Sequence, residues 1–331
     1  MKYKYNIAVF RVILAFAVVG GHYSALGFPY NYLSPLAVPC FMTLAFVFFA
    51  KHLSEKSWPF LQKRLSRLAI PYFIWPIIYL FAYSGLCALF GVDWLGRDWK
   101  NALFFQFLFG HSILTVLWFH WCLILFTVII WILSFLPRKV FFALLGAAFA
   151  LSFFCQYSGT NNLFFDLPFE LKFPLGRLAE MAPYCVTGCV FGIVCGGGRE
   201  ENISYKASSL ICALMLFVFA LLHFLPALSA PSDYGYSGLH VYAKSVSLLC
   251  FFWFVPIDSF FENHQQAKKI VCFASKYTMG VYCLHIIVGK FVSHFGFSND
   301  VFKCSIIYFA CFIICLLVDR LDYKIIKDLV N

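Results

Sequence analysis

Charge is scarce in this chain. Only 12% of its 331 residues are Asp, Glu, Lys or Arg, against about a quarter in soluble domains, and this excludes a water-soluble globule. Acidic side chains are the scarcer kind, 15 against 25 basic, for a formal charge of +10. Metal-ligand patterns are missing too. The 14 cysteines include no C-x-x-C pair and no regular Cys/His spacing, so no bound metal is expected. No loop between apolar stretches is long enough to fold alone, so residues 1–331 read as a single domain with no appended soluble one.

What is abundant is apolar. Hydrophobic residues make up 62% of the chain and Phe alone contributes 43. A soluble core has no room for so many large rings, whereas lipid-facing helix surfaces do. Apolar segments of spanning length fall at 7–27, 34–50, 69–90, 112–135, 140–156, 180–196, 207–226, 239–257, 271–292 and 302–319. Asn101–Gly110 is too short to cross and suits an interfacial or re-entrant piece. The expected fold is an all-α integral membrane protein of about ten transmembrane helices.

Most Lys and Arg fall in alternate loops, on the side that also carries both ends of the chain. The positive-inside rule then puts both termini in the cytoplasm. The same distribution reads the excess charge as topology, so the lipid bilayer is the expected partner and nucleic acid is not. The first apolar segment lacks a small-residue cleavage site and is followed by similar ones, so it reads as a helix and not a signal peptide. Asn202-Ile203-Ser204 is a formal glycosylation sequon, but it falls in a loop expected in the cytoplasm. Cys185, Cys189 and Cys195 lie on a Gly-rich segment, where thiols serve as small packing residues.

Ionisable groups inside apolar spans are costly and mark function by default. In the first segment Arg11 and His22 are three helical turns apart, so they lie on one stripe separated by about 16 Å. Gly20 and Gly21 leave space beside His22 for close packing or for a ligand. The bland alternative has Arg11 snorkelling to head groups and His22 bonded to a neighbour. The basic stretch Lys51 to Arg67 is the second feature. Lys63, Arg64 and Arg67 run into Pro71-Tyr72, and Arg64 and Arg67, at i and i+3, share a helical face suited to one polyanion. Contact with anionic lipid is the alternative. Weaker signals are His120 among aromatics, Glu180 as partner for a histidine, His240 with Lys244, and His285.

Taken in order, these features resemble the membrane-bound acyltransferase family 3, which includes bacterial O-acetyltransferases of lipopolysaccharide and other surface glycans. The matching pieces are Arg11-x10-His22, the stretch Lys63-Arg64-Leu-Ser-Arg67 leading to Pro71-Tyr72, and Leu117-Trp118-Phe119. Pro183-Tyr184 with Gly188 and Gly192, and the run from Ser275 through Thr278, Gly280 and Tyr282 to His285, complete the set. One departure is Val9-Phe10-Arg11-Val12, where the family often carries Asp or Asn before the Arg and Gly after it; this bears on the subfamily and the acceptor.

The resemblance implies an acyl-CoA donor, usually acetyl-CoA, reached from the cytoplasm, and a hydroxyl acceptor on a cell-envelope glycan or lipid-linked sugar. It places the protein in the bacterial cytoplasmic (inner) membrane. Arg64, Arg67 and Lys63 would hold the nucleotide phosphates, and Arg11 the adjoining arm. His22 would be the general base, with a covalent acyl-histidine as the variant. Glu180, Trp118, His120, Tyr23 and His285 are candidates for supporting the site. The rival reading is a transporter or flippase of a glycan precursor or acyl group, since intramembrane His, Arg and Glu also suit proton coupling; no repeat relates the two halves of the sequence.

Overall fold

The computed structural model describes residues 4–23, 30–91, 99–110, 116–157, 169–195, 205–224, 238–297 and 299–321. The sequon at 202–204 lies outside them, as do Lys2, Arg97, Arg199, Lys324 and Lys327. The described residues form helices and connecting turns, with no strand among them. In chain order these are α1 Tyr5–Tyr23, α2 Tyr30–Lys51, α3 Trp58–Phe90, α4 Trp99–Phe109, α5 Trp118–Leu133, α6 Arg138–Tyr157 and α7 Phe169–Cys195. Then follow α8 Tyr205–Phe224, α9 Leu239–Phe254, α10 Asp258–Asn263, α11 Gln265–Lys276, α12 Thr278–His294 and α13 Asp300–Asp319. A 3-10 turn, Leu53–Glu55, joins α2 to α3.

Among the described residues, six helices are long and apolar enough to cross a membrane: α1, α2, α3, α6, α7 and α13. α11 and α12 pass that test together but are bent by 61° at the break between them. The apolar helices α5, α8 and α9 are shorter. Where they are described, the apolar segments expected from the sequence fall on these helices, except that 271–292 is divided between α11 and α12; the short stretch at 101–110 lies on α4 but for its last residue.

Two boundaries differ from the sequence expectation. α3 begins at Trp58, not near 69, and runs for 33 residues, about 50 Å, which exceeds the roughly 30 Å of a hydrocarbon core. The basic stretch is built of strong helix formers and enters through Pro59, which is tolerated in a first turn. Lys63, Arg64 and Arg67 therefore stand in the first three turns of α3. α7 begins at Phe169, not at 180, so Arg177 and Glu180 sit on one helix, a turn apart.

Neighbour contacts fix the relative directions of the helices. α1 meets α12 twice in the same order, through Arg11 with Thr278 and His22 with His285, so the two run parallel. α2 and α7 are parallel as well. A Cβ at Gly188 or Gly192 of α7 would collide with the carbonyl oxygens of Thr43 or Val47 of α2, so the two backbones can approach closely only with glycine there. α3 and α5 run antiparallel, with the Trp58 ring against that of Trp131 and, further along α3, Arg64 bonded to Thr127; Tyr72 of α3 is bonded to the carbonyls of Gln106 and Phe107 of α4. α1 opposes α9, with Phe10 stacked on Phe252 and Asn6 bonded to the Trp253 carbonyl. The centre of the bundle is filled by buried residues of α1, α2, α5, α7 and α12.

Candidate functional site

α1 buries Phe10, Leu14, Ala15, Val18 and Val19 against its neighbours and carries Arg11 and His22 on its remaining stripe. Arg11 lies in the second turn. Its Nη2 donates to Thr278 Oγ1 at 2.8 Å. Thr278 is the first residue of α12, and its own hydroxyl donates to the Ser275 carbonyl at 3.2 Å. On the far side of the break, Lys276 Nζ and the Tyr277 hydroxyl both donate to Asp319 Oδ2, at 2.8 and 3.0 Å. The kink between α11 and α12 is thus fastened from α1 on one side and from α13 on the other. Unsatisfied backbone groups at a break inside apolar surroundings need such polar neighbours.

His22 lies in the last turn of α1 with an exposed side chain. The His285 ring of α12 stands 4.9 Å from it, centroid to centroid, and is itself fully buried. His285 Nδ1 lies 2.6 Å from the Tyr282 carbonyl oxygen. A carbonyl only accepts, so Nδ1 must carry the hydrogen and Nε2 the lone pair. That Nε2 is buried and has no hydrogen-bond partner among the described residues. Tyr23 completes the group. Its hydroxyl donates to the Ile286 carbonyl at 3.0 Å, and its ring lies directly on Gly289, where any Cβ would clash. The space expected beside Gly21 is taken by Ser34 of α2, so that glycine serves close helix packing.

Tyr282 extends the cluster towards α5. Its hydroxyl donates to the Val116 carbonyl at 2.8 Å, and its ring lies 6.0 Å from the His120 ring and 5.6 Å from Phe119. His120 is fully buried, and neither ring nitrogen has a hydrogen-bond partner among the described residues. His22, His285, Tyr282 and His120 therefore form a continuous line of rings from the end of α1 into the bundle.

Glu180 is not part of that line. Its Oε2 accepts from Arg177 Nη1 at 2.7 Å, so its partner is an arginine on its own helix and not a histidine. The Arg177 guanidinium also lies over the Trp118 ring at 4.8 Å and the Phe173 ring at 4.9 Å. Trp118 and Glu180 are thereby brought together by Arg177, a residue not among the site candidates named from the sequence. The i, i+3 spacing of Arg177 and Glu180 carried that signal.

The basic group on α3 does not converge as expected. Arg64 turns inward: Nε donates to Thr127 Oγ1 at 3.1 Å, Nη2 to the Ala45 carbonyl at 3.1 Å, and the guanidinium lies 4.5 Å from the Phe49 ring. Lys63 and Arg67 are exposed. The three are placed in different surroundings although they share a helix.

A family model described as an acyltransferase domain, Acyl_transf_3, matches residues 4–320. No curated protein and no solved structure matches the chain.

Proposed function

Because the chain belongs to acyltransferase family 3, a family of membrane acyltransferases, we propose that it transfers an acyl group, acetyl in the first instance, from cytoplasmic acyl-CoA to a hydroxyl of a cell-envelope glycan or lipid-linked sugar. The observation that carries the proposal is His22 at the open end of α1, set against a buried His285 whose tautomer is fixed by the Tyr282 carbonyl. A general base must be reachable by its substrate and held in one orientation; the exposure of His22 meets the first condition, and the fixed His285 ring beside it would serve the second.

In the proposed step, His22 takes the proton of the acceptor hydroxyl as its oxygen attacks the thioester carbonyl. The carbon–sulfur bond breaks, an ester forms, and the proton passes from His22 to the departing thiolate. His285 backs the His22 ring by packing against it, and its Nε2 lone pair would accept the second N–H of His22 once that ring turns towards it. Arg11, three turns nearer the start of α1, would meet the donor arm, and Lys63 and Arg67 on the exposed side of α3 its phosphates. Arg64 would act from behind them by holding α3 on α2 and α5.

We read the fold as ten spans, counting α11 and α12 as one and including α5, α8 and α9, with both termini in the cytoplasm of a bacterial inner membrane. Helix directions support this count. Spans one and nine (α1 and α12) run parallel, as do two and six (α2 and α7), while three and four (α3 and α5) and one and eight (α1 and α9) are opposed. Alternate crossing demands that pattern. The bent pair α11–α12 is the feature a transporter would use as a broken helix, but both sides of the break are tied to neighbouring helices, and family membership favours transfer.

The test is mass spectrometry of surface glycan from cells carrying the parent gene, no gene, or His22→Ala. An acetyl mass present only with the parent is the expected result. Equal acetylation with His22→Ala, at matched protein levels in the membrane, removes His22 from the chemistry; a stalled or missing glycan replaces transfer with transport.

A further inference from the structure

α11 carries Lys268, Lys269 and Lys276 and no carboxylate of its own, and it lies across the bundle end away from His22. Two contacts fix that position. Lys268 stands 5.2 Å from the ring of Tyr5, the first residue of α1, and Lys276 donates to Asp319, the last residue of α13. From Lys268 to Thr278 is about 15 Å of helix, whereas their partners on α1, Tyr5 and Arg11, are only about 9 Å apart along the axis. α11 therefore runs obliquely to α1 and α12, as the 61° bend at its end requires.

The two sides of this helix differ. Val271 and Cys272 are half-buried and Ser275 is buried, whereas Gln266, Lys269, Ile270, Phe273 and Lys276, recurring at three- and four-residue spacing, are exposed. Ile270 is 66% exposed and Phe273 41%. The Phe273 ring lies 5.5 Å from that of Phe312 on α13, so the apolar pair continues the outer surface of a membrane-spanning helix, where Ile313 and Leu317 are also exposed. Water does not suit Ile270 and Phe273, and hydrocarbon does not suit Gln266 and Lys269. The level that satisfies both is the headgroup boundary of a bilayer. The carboxylates that reach the lysines of α11 belong to other helices: Asp319 at Lys276, and Glu262 of α10 on the Lys268 side. Lys269 stands on the exposed side next to Ile270.

We infer that α11 is an in-plane membrane helix whose partner is anionic phospholipid. Ile270 and Phe273 enter the boundary of the acyl chains, and Lys269, with Lys268 beside it, meets the headgroup phosphates. The leaflet then holds one arm of the bend whose other arm, α12, carries Thr278 and His285. In the proposed topology this end faces the cytoplasm, where anionic lipid gives the leaflet its negative surface potential. The inference rests on that topology only for the choice of leaflet, and not at all on acyl transfer.

The purified full chain is placed in nanodiscs of phosphatidylcholine alone, or of phosphatidylcholine mixed with phosphatidylglycerol. Hydrogen exchange of the backbone amides is followed by mass spectrometry of peptides covering 265–276. Both leaflets of a disc carry the same lipid, so a reversed topology leaves the outcome unchanged. The parent should exchange more slowly with phosphatidylglycerol, by roughly fivefold or more for two lysines at a charged surface, and high salt should erase the difference. Lys268→Gln with Lys269→Gln should exchange alike in both discs. Ile270→Gln with Phe273→Gln should exchange faster than the parent in both, while peptides from α12, the control for folding, match the parent throughout. Should either double variant fail to fold, Lys269→Gln alone decides, by shrinking the difference between the discs. Equal exchange of the parent in the two discs, or a phosphatidylglycerol effect that survives the lysine replacements, overturns the inference.

Discussion

His285 of α12 stands 4.9 Å from His22 of α1, and its Nδ1–H is committed to the Tyr282 carbonyl, so its Nε2 is left as a buried acceptor beside the proposed base. The relationship joins residues 263 positions apart through two parallel helices that are also pinned at Arg11 and Thr278.

If His285 positions His22, His285→Phe should preserve the fold yet lower kcat by about 10²- to 10⁴-fold, the range of general acid–base contributions, with KM little changed. His285→Gln, which returns a polar group near the Nε2 position, should recover part of the rate. Steady-state transfer by purified protein reads both, and an equal loss in KM and kcat, or a Gln variant no better than Phe, would mark a packing role.

Thr278→Val removes the acceptor of the Arg11 hydrogen bond at the α11–α12 break. A bond from a charged donor contributes about 1.5–3 kcal/mol, so the thermal midpoint in detergent should fall, and Thr278→Ser should restore it. An unchanged midpoint for the valine variant would mean that the other ties at the break suffice.

Arg64 and Arg67 should separate by readout. Arg64→Ala loses two hydrogen bonds and two ring contacts, a cost of about 2 kcal/mol or more in stability. Arg67→Ala, on the exposed side, should leave the midpoint within about 0.5 kcal/mol and weaken donor binding instead. Thermal unfolding and CoA titration on the same preparations test the division.

The Arg177–Glu180 pair should behave as a buried ion pair. Glu180→Leu alone leaves the Arg177 guanidinium without its carboxylate and should cost about 3–5 kcal/mol in denaturant unfolding. Replacing both, as Arg177→Met with Glu180→Leu, should recover much of that loss. A double variant no more stable than the single one would show that Arg177 matters through Trp118 and Phe173 rather than through Glu180.

Gly192→Leu should force α7 from α2, because even a Cβ there collides with the Val47 carbonyl. Overpacking costs about 1–3 kcal/mol. Gly146, where a Cβ meets nothing within 4 Å, provides the control: Gly146→Ala should keep or raise the unfolding midpoint that Gly192→Leu lowers.

The sequence by itself determined the properties that depend on composition and on periodicity along one helix. Scarce charge and apolar segments of spanning length specified a helical membrane protein, because an unpaired backbone cannot remain in hydrocarbon. The 11-residue spacing placed Arg11 and His22 on one stripe, and both lie on α1 as that spacing requires. Tertiary structure alone decided what each stripe meets. It set His285, and not Glu180, beside His22; it paired Glu180 with Arg177; and it turned Arg64 inward while leaving Arg67 exposed one turn later. The physical reason is that contacts between helices follow from which faces pack together, here through close approaches such as Gly192 on Val47, and local periodicity along one helix does not fix that choice.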